Sequence, residues 1–427
     1  MSRAEMRHAF AGNPIIPGKR DKLATEALPS LLHASQEVER VKVLPLCDGK
    51  PLVAASSSSS ISSPSCDGPP AARVWRLAWQ ALEDFGERIP LSVTSSSSGE
   101  NPPQMYDQLV YLGEKERLAY FAIDVPACPA PNAEGRRPGV DGKQLRSLAS
   151  MFASPSDDER VAFVDARTLM QAANWSDEEA MSELSIAGHA RVMLGWHKEA
   201  LYCGRCGSKT LSYLSGQRRV CSKCNNKLYP RIDPVVIMLV IDKERDCVIL
   251  GRQSRFVSRM WSCLAGFMEP GESLEEAVRR ETREEVGIEL GDIVYHSSQP
   301  WPVGPSSMPC NLMVGFFAFA TSFDIHVDHK ELEDAQWHSR EQVQRYLRSS
   351  DYENGTLDAA SKIRYACFGD ERVEAPKGTI EEKTELSSPT VPGPYAIAHH
   401  LIATWANEGV AHLISKRCLM SAVDLPI

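Results

Sequence analysis

The segment from Gly266 to Ile288, GFMEPGESLEEAVRRETREEVGI, limits what this chain can fold into more than any other stretch. A glycine-rich turn leads into a short helix that is rich in glutamate. At about 100° per residue, Glu281 and Glu285 fall within the apolar stripe of that helix, and Glu284 falls at its edge. Carboxylates that face a core are costly unless a cation accompanies them, and Mg²⁺ prefers such oxygen ligands. The alternative, a solvated acidic helix, is disfavoured by this angular placement.

The same segment resembles the Nudix box, G-x5-E-x7-R-E-U-x-E-E-x-G-U. Only Thr282 departs from it, where the pattern prefers a bulky aliphatic residue, and we expect a packing adjustment there. The resemblance implies an α+β fold, the α/β/α Nudix sandwich with a mixed sheet. It also implies a hydrolase that cleaves a nucleoside diphosphate linked to another group with Mg²⁺ or Mn²⁺. The matching positions are Gly266, Glu272, Arg280, Glu281, Glu284, Glu285, Gly287 and Ile288.

The resemblance also assigns roles to individual residues. Among the glutamates, Glu284 is our own candidate for the base that takes a proton from water, because it sits at the edge of the apolar stripe. Arg280 is expected to pair with neighbouring carboxylates and fix their rotamers. The implied catalytic residues are Glu281, Glu284, Glu285 and Arg280. The implied ligands of the catalytic metal are Glu281, Glu284, Glu285, Glu331 and the carbonyl of Ala265, with a plain surface glutamate as the alternative for Glu331.

Four cysteines form two C-x2-C pairs, Cys203 with Cys206 and Cys221 with Cys224, separated by residues 207–220. Two such pairs at this separation predict a structural Zn²⁺ site, because four thiolates close a tetrahedron and leave no open position for catalysis. A redox dithiol would need one pair near a βαβ unit, and here there are two pairs.

A zinc ribbon directly before a Nudix domain resembles the eukaryotic NADH pyrophosphatase subgroup. The linker from Tyr229 to Pro234, the SQPWPVGPS loop at 298–306 and the HAFAGNP segment at 8–14 also resemble that subgroup. Val303 replaces a phenylalanine of the loop motif, which leaves open the choice among NADH, NADPH and other dinucleotides. Tyr229 is either a pocket wall or a core aromatic. The implied substrate-binding residues are Tyr229, Gln299, Pro300, Trp301, Pro302, Ser306 and Ala398.

The activity implied by this resemblance is hydrolysis of the pyrophosphate bond of NADH or NADPH, and also of NAD⁺. The products are nicotinamide mononucleotide and AMP, or 2′,5′-ADP. Removal of NAD caps from RNA uses the same motifs and stays an alternative. An alternative from another class is a non-catalytic Nudix module that senses a nucleotide or binds a protein. The ribbon could also serve nucleic-acid binding, but a structural and dimerising role is preferred, and the resemblance implies a homodimer.

Composition narrows the class of protein and its compartment. The net charge of −9 argues against a dedicated non-specific nucleic-acid binder. No stretch approaches about 18 apolar residues, so no membrane span is predicted. Four of the 12 cysteines have regular spacing, which favours a reducing intracellular compartment, the cytoplasm or a peroxisome, although the C-terminus is not SKL.

Composition also suggests four parts of the chain. Residues 1–72 are expected to be a partly disordered N-terminal segment, and 73–200 a small α+β domain with long loops. Residues 201–230 form the predicted zinc ribbon. Residues 231–427 form the predicted Nudix domain, which ends in an amphipathic helix near 394–409.

Overall fold

The computed structural model describes residues 8–15, 41–56, 74–82, 109–116, 118–125, 142–153, 159–175, 177–256, 259–304, 310–348, 351–369 and 389–408. Among these residues, no helix combines the length and the apolar character that crossing a membrane requires.

The N-terminal domain is built on a mixed sheet in the order β3-β2-β1-β6-β5, with β4 beside β1 and β7 beside β2. Its strands are β1 (Val41–Cys47), β2 (Lys50–Ser56), β3 (Arg76–Leu77), β4 (Gln80–Ala81), β5 (Val110–Lys115), β6 (Leu118–Asp124) and β7 (Glu159–Phe163). Upstream of residue 200, the described residues include three helices that accompany the sheet: α1 (Gly142–Ser150), α2 (Ala166–Ala172) and α3 (Glu178–Glu199).

Residue 73 is too late a start for this domain. β1 and β2 lie upstream of it, and β1 pairs in parallel with β6 from Val41 to Leu46. Both strands are almost wholly buried, and their sequences read as nearly continuous apolar runs. Such runs are typical of strands covered on both faces and lack the alternation that marks a half-buried strand. Within the predicted N-terminal segment 1–72, His8, Ala9, Phe10 and Ile15 are buried as well.

The segment predicted to be a zinc ribbon follows α3 and forms three short antiparallel strands, β8 (Thr210–Tyr213), β9 (Arg218–Cys221) and β10 (Lys227–Leu228). The buried Arg219 guanidinium donates to the Thr210 hydroxyl at 2.7 Å and lies 2.9 Å from Nδ1 of His197 in α3. The other ring nitrogen of His197 lies 2.8 Å from the carbonyl of Gly216. The ribbon is therefore tied to the end of α3.

The C-terminal domain is an α/β/α sandwich around a mixed sheet in the order β14-β15-β11-β12-β16, with β13 beside β11. Its strands are β11 (Asp233–Asp242), β12 (Cys247–Arg252), β13 (Leu264–Phe267), β14 (Leu290–Trp301), β15 (Asn311–Ala320) and β16 (Asp334–Ser339). Helix α4 (Leu274–Val286) covers one face, and α5 (Arg340–Leu347) and α7 (Ile397–Glu408) cover the other. The predicted fold class is confirmed.

The two faces follow from the alternation along β11. Val236, Met238 and Val240 pack with Ala277 and Val278 of α4. Ile237, Leu239 and Ile241 pack with α7 instead. Both sets are buried, because a central strand between two helical layers presents apolar side chains to each layer.

One helix that lies between α5 and α7 in the sequence packs with the N-terminal domain. α6 (Asp351–Phe368) buries Ala359, Ala360 and Ile363 in the same core as Leu169 and Met170 of α2. The predicted unit 231–427 is therefore not one structural body. The place of α6 in the sequence favours packing with the C-terminal domain, but the N-terminal domain covers the apolar face of this helix.

Candidate active site

The ends of α4 are fixed by its own sequence. Ser273 caps the N-terminus and forms a reciprocal capping box with Glu276, while Gly287 ends the helix with φ of 71°. These signals set the helix phase, so that Glu281 and Glu285 face the sheet with exposures of only 8% and 2%. Thr282 is fully buried, and its hydroxyl donates to the Val278 carbonyl at 2.8 Å, which satisfies the polar atom at the atypical position.

Glu281 lies directly against β13. A Cβ atom placed on Gly266 would lie 1.9 Å from the Cδ atom of Glu281. Gly266 is held in this place because it pairs with Val236 of β11 and so points to the α4 face of the sheet. Only glycine leaves room for the carboxylate here, which explains the first fixed position of the box in physical terms.

Glu285 is the most deeply buried carboxylate of the helix. Its Oε2 atom is buried without a hydrogen-bond partner. Burial, together with the negative charges of Glu281 and Glu331, raises the pKa of Glu285 to about 8, and a backbone hydrogen bond at Ala265 works in the opposite direction. Burial also raises the pKa of Glu281. Both carboxyl groups thus resist ionisation unless a positive charge joins them.

These residues fit a hard divalent cation. Glu285 offers an unpartnered oxygen, Glu281 a second carboxylate, and Glu331 is exposed and close enough to perturb both. The strand end at Ala265 and Gly266 brings backbone to the same place. The donor set is all oxygen and carries excess negative charge, which is the chemistry that Mg²⁺ and Mn²⁺ select.

Arg280 organises the solvent side of this cluster. Its guanidinium donates to Glu272 at 2.5 Å, to Glu281 at 2.9 Å and to Glu284 at 2.8 Å. It also donates to the carbonyl of Phe267 at 2.8 Å. The expectation that Arg280 pairs with neighbouring carboxylates is confirmed. Glu284, the candidate base, is the most exposed of the four box glutamates, with 56% of its side chain accessible.

The four predicted zinc ligands come together. The sulfur atoms of Cys203, Cys206, Cys221 and Cys224 all lie within 4.8 Å of one another. Three of the Sγ–Sγ separations are 3.4, 3.5 and 3.7 Å. Tetrahedral Zn²⁺ with Zn–S bonds of about 2.3 Å separates its sulfurs by about 3.8 Å, so this donor set fits the ion. In the described part of the chain no other His, Cys, Asp and Glu side chains meet the same criterion.

The predicted substrate residues divide into exposed and internal groups. Tyr229 is 60% exposed, which excludes the core-aromatic reading. Trp301 and Pro300 are half-buried at the end of β14, Pro302 is buried, and Ser306 lies outside the described residues. The buried Ala398 lies in the first turn of α7, and its carbonyl lies 3.8 Å from the sulfur of Cys263.

Gln299 is a correction to the substrate list. It is completely buried, and its amide is used internally. Nε2 donates to the carbonyls of Tyr395 at 2.8 Å and Ala9 at 3.3 Å, and Oε1 accepts from the Ile397 N–H at 2.7 Å. The sequence motif predicts that Gln299 meets a ligand, but three backbone partners occupy it.

Sequence reasoning missed two features of the site. Phe267 is 44% exposed and lies on the α7 face of β13, because it pairs with Val235 there. Strand alternation beside Gly266 was the available signal. Arg191 of α3 donates to the carbonyls of Pro302 and Gly304 from the N-terminal domain. Nothing in the local sequence indicates that Arg191 contacts this loop, since 111 residues separate Arg191 from Pro302.

Known proteins resemble the chain along most of its length. A family model described as "NUDIX domain" matches residues 231–356, and one described as "NADH pyrophosphatase-like rudimentary NUDIX domain" matches residues 41–196. "NAD(P)H pyrophosphatase NUDT13, mitochondrial" of Homo sapiens is 31% identical, over 61% of this chain and 68% of that protein. "NAD-capped RNA hydrolase NUDT12" of Homo sapiens is 39% identical, over 52% of this chain and 42% of that protein.

"Nudix hydrolase 19, chloroplastic" of Arabidopsis thaliana is 47% identical over 98% of this chain and 90% of that protein. An alignment of this identity along nearly the whole of a relative goes beyond a shared motif. With the box geometry and the two family models, it shows that the chain belongs to the Nudix hydrolase family and joins a Nudix domain to an NADH pyrophosphatase-like domain.

Proposed function

We propose that this protein hydrolyses the pyrophosphate bond of NADH, NADPH and NAD⁺ to release nicotinamide mononucleotide and AMP or 2′,5′-ADP. The observation that carries the proposal is the unpartnered, buried oxygen of Glu285 beside Glu281 at the end of β13. Burial raises the pKa of both carboxyl groups, and a bound divalent cation would favour their ionised forms. Such a pair is suited to binding a complex of a divalent cation with the diphosphate of the substrate. The relatives named NAD(P)H pyrophosphatase supply the substrate class.

Glu281, Glu284, Glu285, Glu331 and the Ala265 carbonyl would hold Mg²⁺ or Mn²⁺. Such ions neutralise a diphosphate and lower the pKa of a bound water. Arg280 keeps the carboxylates of Glu281 and Glu284 in place through its guanidinium. Glu284 is exposed enough for a water molecule to reach its carboxylate, which supports its role as the base.

The substrate bases would rest on aromatic side chains that are at least partly exposed. Phe267 and Tyr229 are exposed, and Trp301 is half-buried at the end of β14. Flat, apolar rings with little conformational freedom bind planar bases at a low ordering cost. Ala398 and Pro302 would contribute backbone and apolar contacts, and Ser306 is retained from the loop motif.

The test is release of AMP from NADH in the presence of Mn²⁺. The wild type and a Glu275→Gln variant are expected to turn over alike, because Glu275 is exposed on the solvent side of α4. Glu285→Gln is expected to lose at least about a hundredfold in kcat. Equal turnover by Glu285→Gln would overturn the site, and an inactive wild type with intact Mn²⁺ binding would favour a nucleotide-sensing module.

NAD-capped RNA is the second candidate substrate. The relatives named NAD-capped RNA hydrolase support it, and so does a ribbon that carries the basic side chains of Arg205, Lys209, Arg218, Lys223 and Lys227. The two substrates are separated by kcat/KM for NADH and for a short NAD-capped RNA across a salt series. If the ribbon binds the RNA, kcat/KM should fall steeply with salt for the capped RNA but not for NADH.

We further propose that the ribbon binds one structural Zn²⁺ and forms part of a homodimer interface. Exposed apolar side chains concentrate on and beside the ribbon: Leu201, Tyr202, Leu211, Tyr213, Tyr229 and Ile232. A patch of this kind on a soluble protein is typical of an interaction surface. Light scattering should give the mass of two chains, and Leu211→Asp should give that of one.

The cytoplasmic or peroxisomal location expected from sequence receives no support from the relatives whose names give a location, which are chloroplastic or mitochondrial. We propose that this protein resides in a chloroplast or a mitochondrion. Imaging of the full chain fused at its C-terminus to a fluorescent protein, with organelle markers, tests it. A diffuse cytoplasmic signal would contradict the proposal.

A further inference from the structure

The N-terminal residues His8–Ile15 form a packed segment, named here the N-terminal staple, that lies outside both sheets. Ala9 is fully buried, and His8, Phe10 and Ile15 are 5%, 5% and 3% exposed. Phe10 has a φ of 63°, a left-handed conformation that non-glycine residues adopt only when their surroundings enforce it. This short segment is therefore held in one conformation by what surrounds it.

On one side the staple contacts the N-terminal domain. The Ser185 hydroxyl of α3 donates to the carbonyl of Phe10 at 3.0 Å, and the Asn13 amide lies 3.2 Å from the ring of His189. Ile15 fills the space beside Gly113 of β5, where an added Cβ would meet its Cγ2 atom at 2.2 Å. The staple is anchored to two elements of this domain.

On the other side the staple reaches the substrate loop and α7 of the Nudix domain. The buried amide of Gln299 donates to Ala9 and Tyr395 and accepts from the N–H of Ile397. A single side chain at the start of the loop thus joins the staple to the first turn of α7. The His8 ring packs edge-to-face on His400, with centroids 4.9 Å apart, one turn further along the same helix.

A third contact brings the staple and the loop together on α3. A Cβ on Gly188 would lie 2.7 Å from Phe10 and 2.8 Å from Pro302, so both side chains rest on this glycine. Arg191, less than one turn on, donates to the carbonyl of Pro302 and, at 3.4 Å, to that of Gly304. Helix α3 is thus the support on which the staple and the loop are packed side by side.

We propose that the N-terminal staple is a positioning element for the dinucleotide cleft, and that Gln299 is a positioning residue and does not contact substrate. The staple fixes the loop at 299–304 and the first turn of α7, which carry Trp301 and Ala398. None of its described contacts falls on α4, which lies on the opposite face of the sheet and carries the catalytic glutamates. Weakening the staple should therefore impair dinucleotide binding and leave the metal cluster intact.

The inference rests on the proposed function for its kinetic readout but not for its structural one. The test variant is Phe10→Ala in the full chain, and the matched control is Phe152→Ala. Phe152 is equally buried, but it lies in the other core of the N-terminal domain, away from the staple. Phe10→Leu keeps most of the apolar volume and serves as the conservative variant.

Phe10→Ala is expected to raise KM for NADH about tenfold or more with kcat within about threefold of wild type. Mn²⁺ affinity should not change. Amide hydrogen exchange should accelerate in 299–304 and 395–400 but not in α4. Phe152→Ala and Phe10→Leu should leave KM and these exchange rates near wild type.

An unchanged KM in Phe10→Ala, or an equal rise in Phe152→Ala, would overturn the proposal. Hydrogen exchange separates this inference from the proposed function, because it needs no turnover. Faster exchange in both segments with an inactive wild type would uphold the staple and reject the activity. Unchanged exchange in an active Phe10→Ala protein would reject the staple alone.

Discussion

Glu281 packs so closely on Gly266 that its carboxyl carbon would lie 1.9 Å from any Cβ at that position. The glycine is therefore part of the geometry of the carboxylate. Gly266→Ala is expected to displace Glu281 from β13 and to lower kcat by about a hundredfold or more. The displaced carboxylate should also weaken Mn²⁺ binding.

Steady-state kinetics with NADH check this prediction. Gly142→Ala is the control, because an added Cβ at Gly142 meets nothing within 4 Å. That variant should retain full activity. If Gly266→Ala stays as active as Gly142→Ala, the contact between Glu281 and the strand has no functional weight.

Glu285 makes the metal-free protein sensitive to pH. Its pKa is raised from 4.5 in the unfolded chain to about 8 in the folded protein, mainly by burial. Between these values the folded state keeps a proton that the unfolded state releases, so its stabilising effect is complete below pH 4.5 and lost as pH rises through 8. The limiting slope for one proton is about 1.4 kcal/mol per pH unit.

Thermal melting of the metal-free protein between pH 5 and pH 8.5 measures this loss. Glu285→Gln has no such proton, so its free energy of unfolding should fall less steeply with pH, by up to about 1.4 kcal/mol per pH unit. The variant should also melt higher than wild type at pH 8 without metal. A wild-type profile identical to that of Glu285→Gln would show that the carboxyl group is not the source.

The four-cysteine cluster is predicted to hold about one Zn²⁺ per chain, which stabilises the ribbon and takes no part in chemistry. Cys206→Ser is expected to lower the zinc content to near zero and to make the ribbon susceptible to protease. Atomic absorption and limited proteolysis provide the measurement. Cys47→Ala, a buried thiol away from the cluster, should keep its zinc.

Two arginine–carboxylate pairs should differ in their effect on stability. Arg340 is 20% exposed, pairs with Asp246 at 2.7 Å, stacks over Trp405 at 4.2 Å and donates to the Trp405 carbonyl near the end of α7. Arg340→Ala is expected to cost about 1–3 kcal/mol, because it removes packing and a helix-end partner together. Denaturant unfolding measures it.

The comparison is Arg283, which pairs with Glu289 at 2.7 Å while both side chains are more than half exposed. Arg283→Ala should produce little measurable change, because solvent screens such pairs. Similar losses in both variants would mean that the contacts of Arg340 with Trp405 contribute nothing.

The box helix and the ribbon could be predicted because their signals are local. The helical phase alone separates the buried Glu281 and Glu285 from the exposed Glu275, and paired C-x2-C spacing identifies four ligands. The role of Gln299 could not be predicted, because its partner Ala9 is 290 residues away. Likewise, α6 lies between α5 and α7 of the Nudix domain in sequence, but its apolar face packs with α2 in the N-terminal core, which only tertiary packing decides.

Glu281 and Glu285 are proposed to lie beneath β13 in order to bind divalent cations. The most direct test of this proposal is a titration of Mn²⁺ into the wild type, Glu285→Gln and Glu275→Gln, with free Mn²⁺ followed by electron paramagnetic resonance at pH 8. We expect Glu285→Gln to bind Mn²⁺ at least about tenfold more weakly, while Glu275→Gln matches the wild type. Equal binding by all three proteins would contradict it.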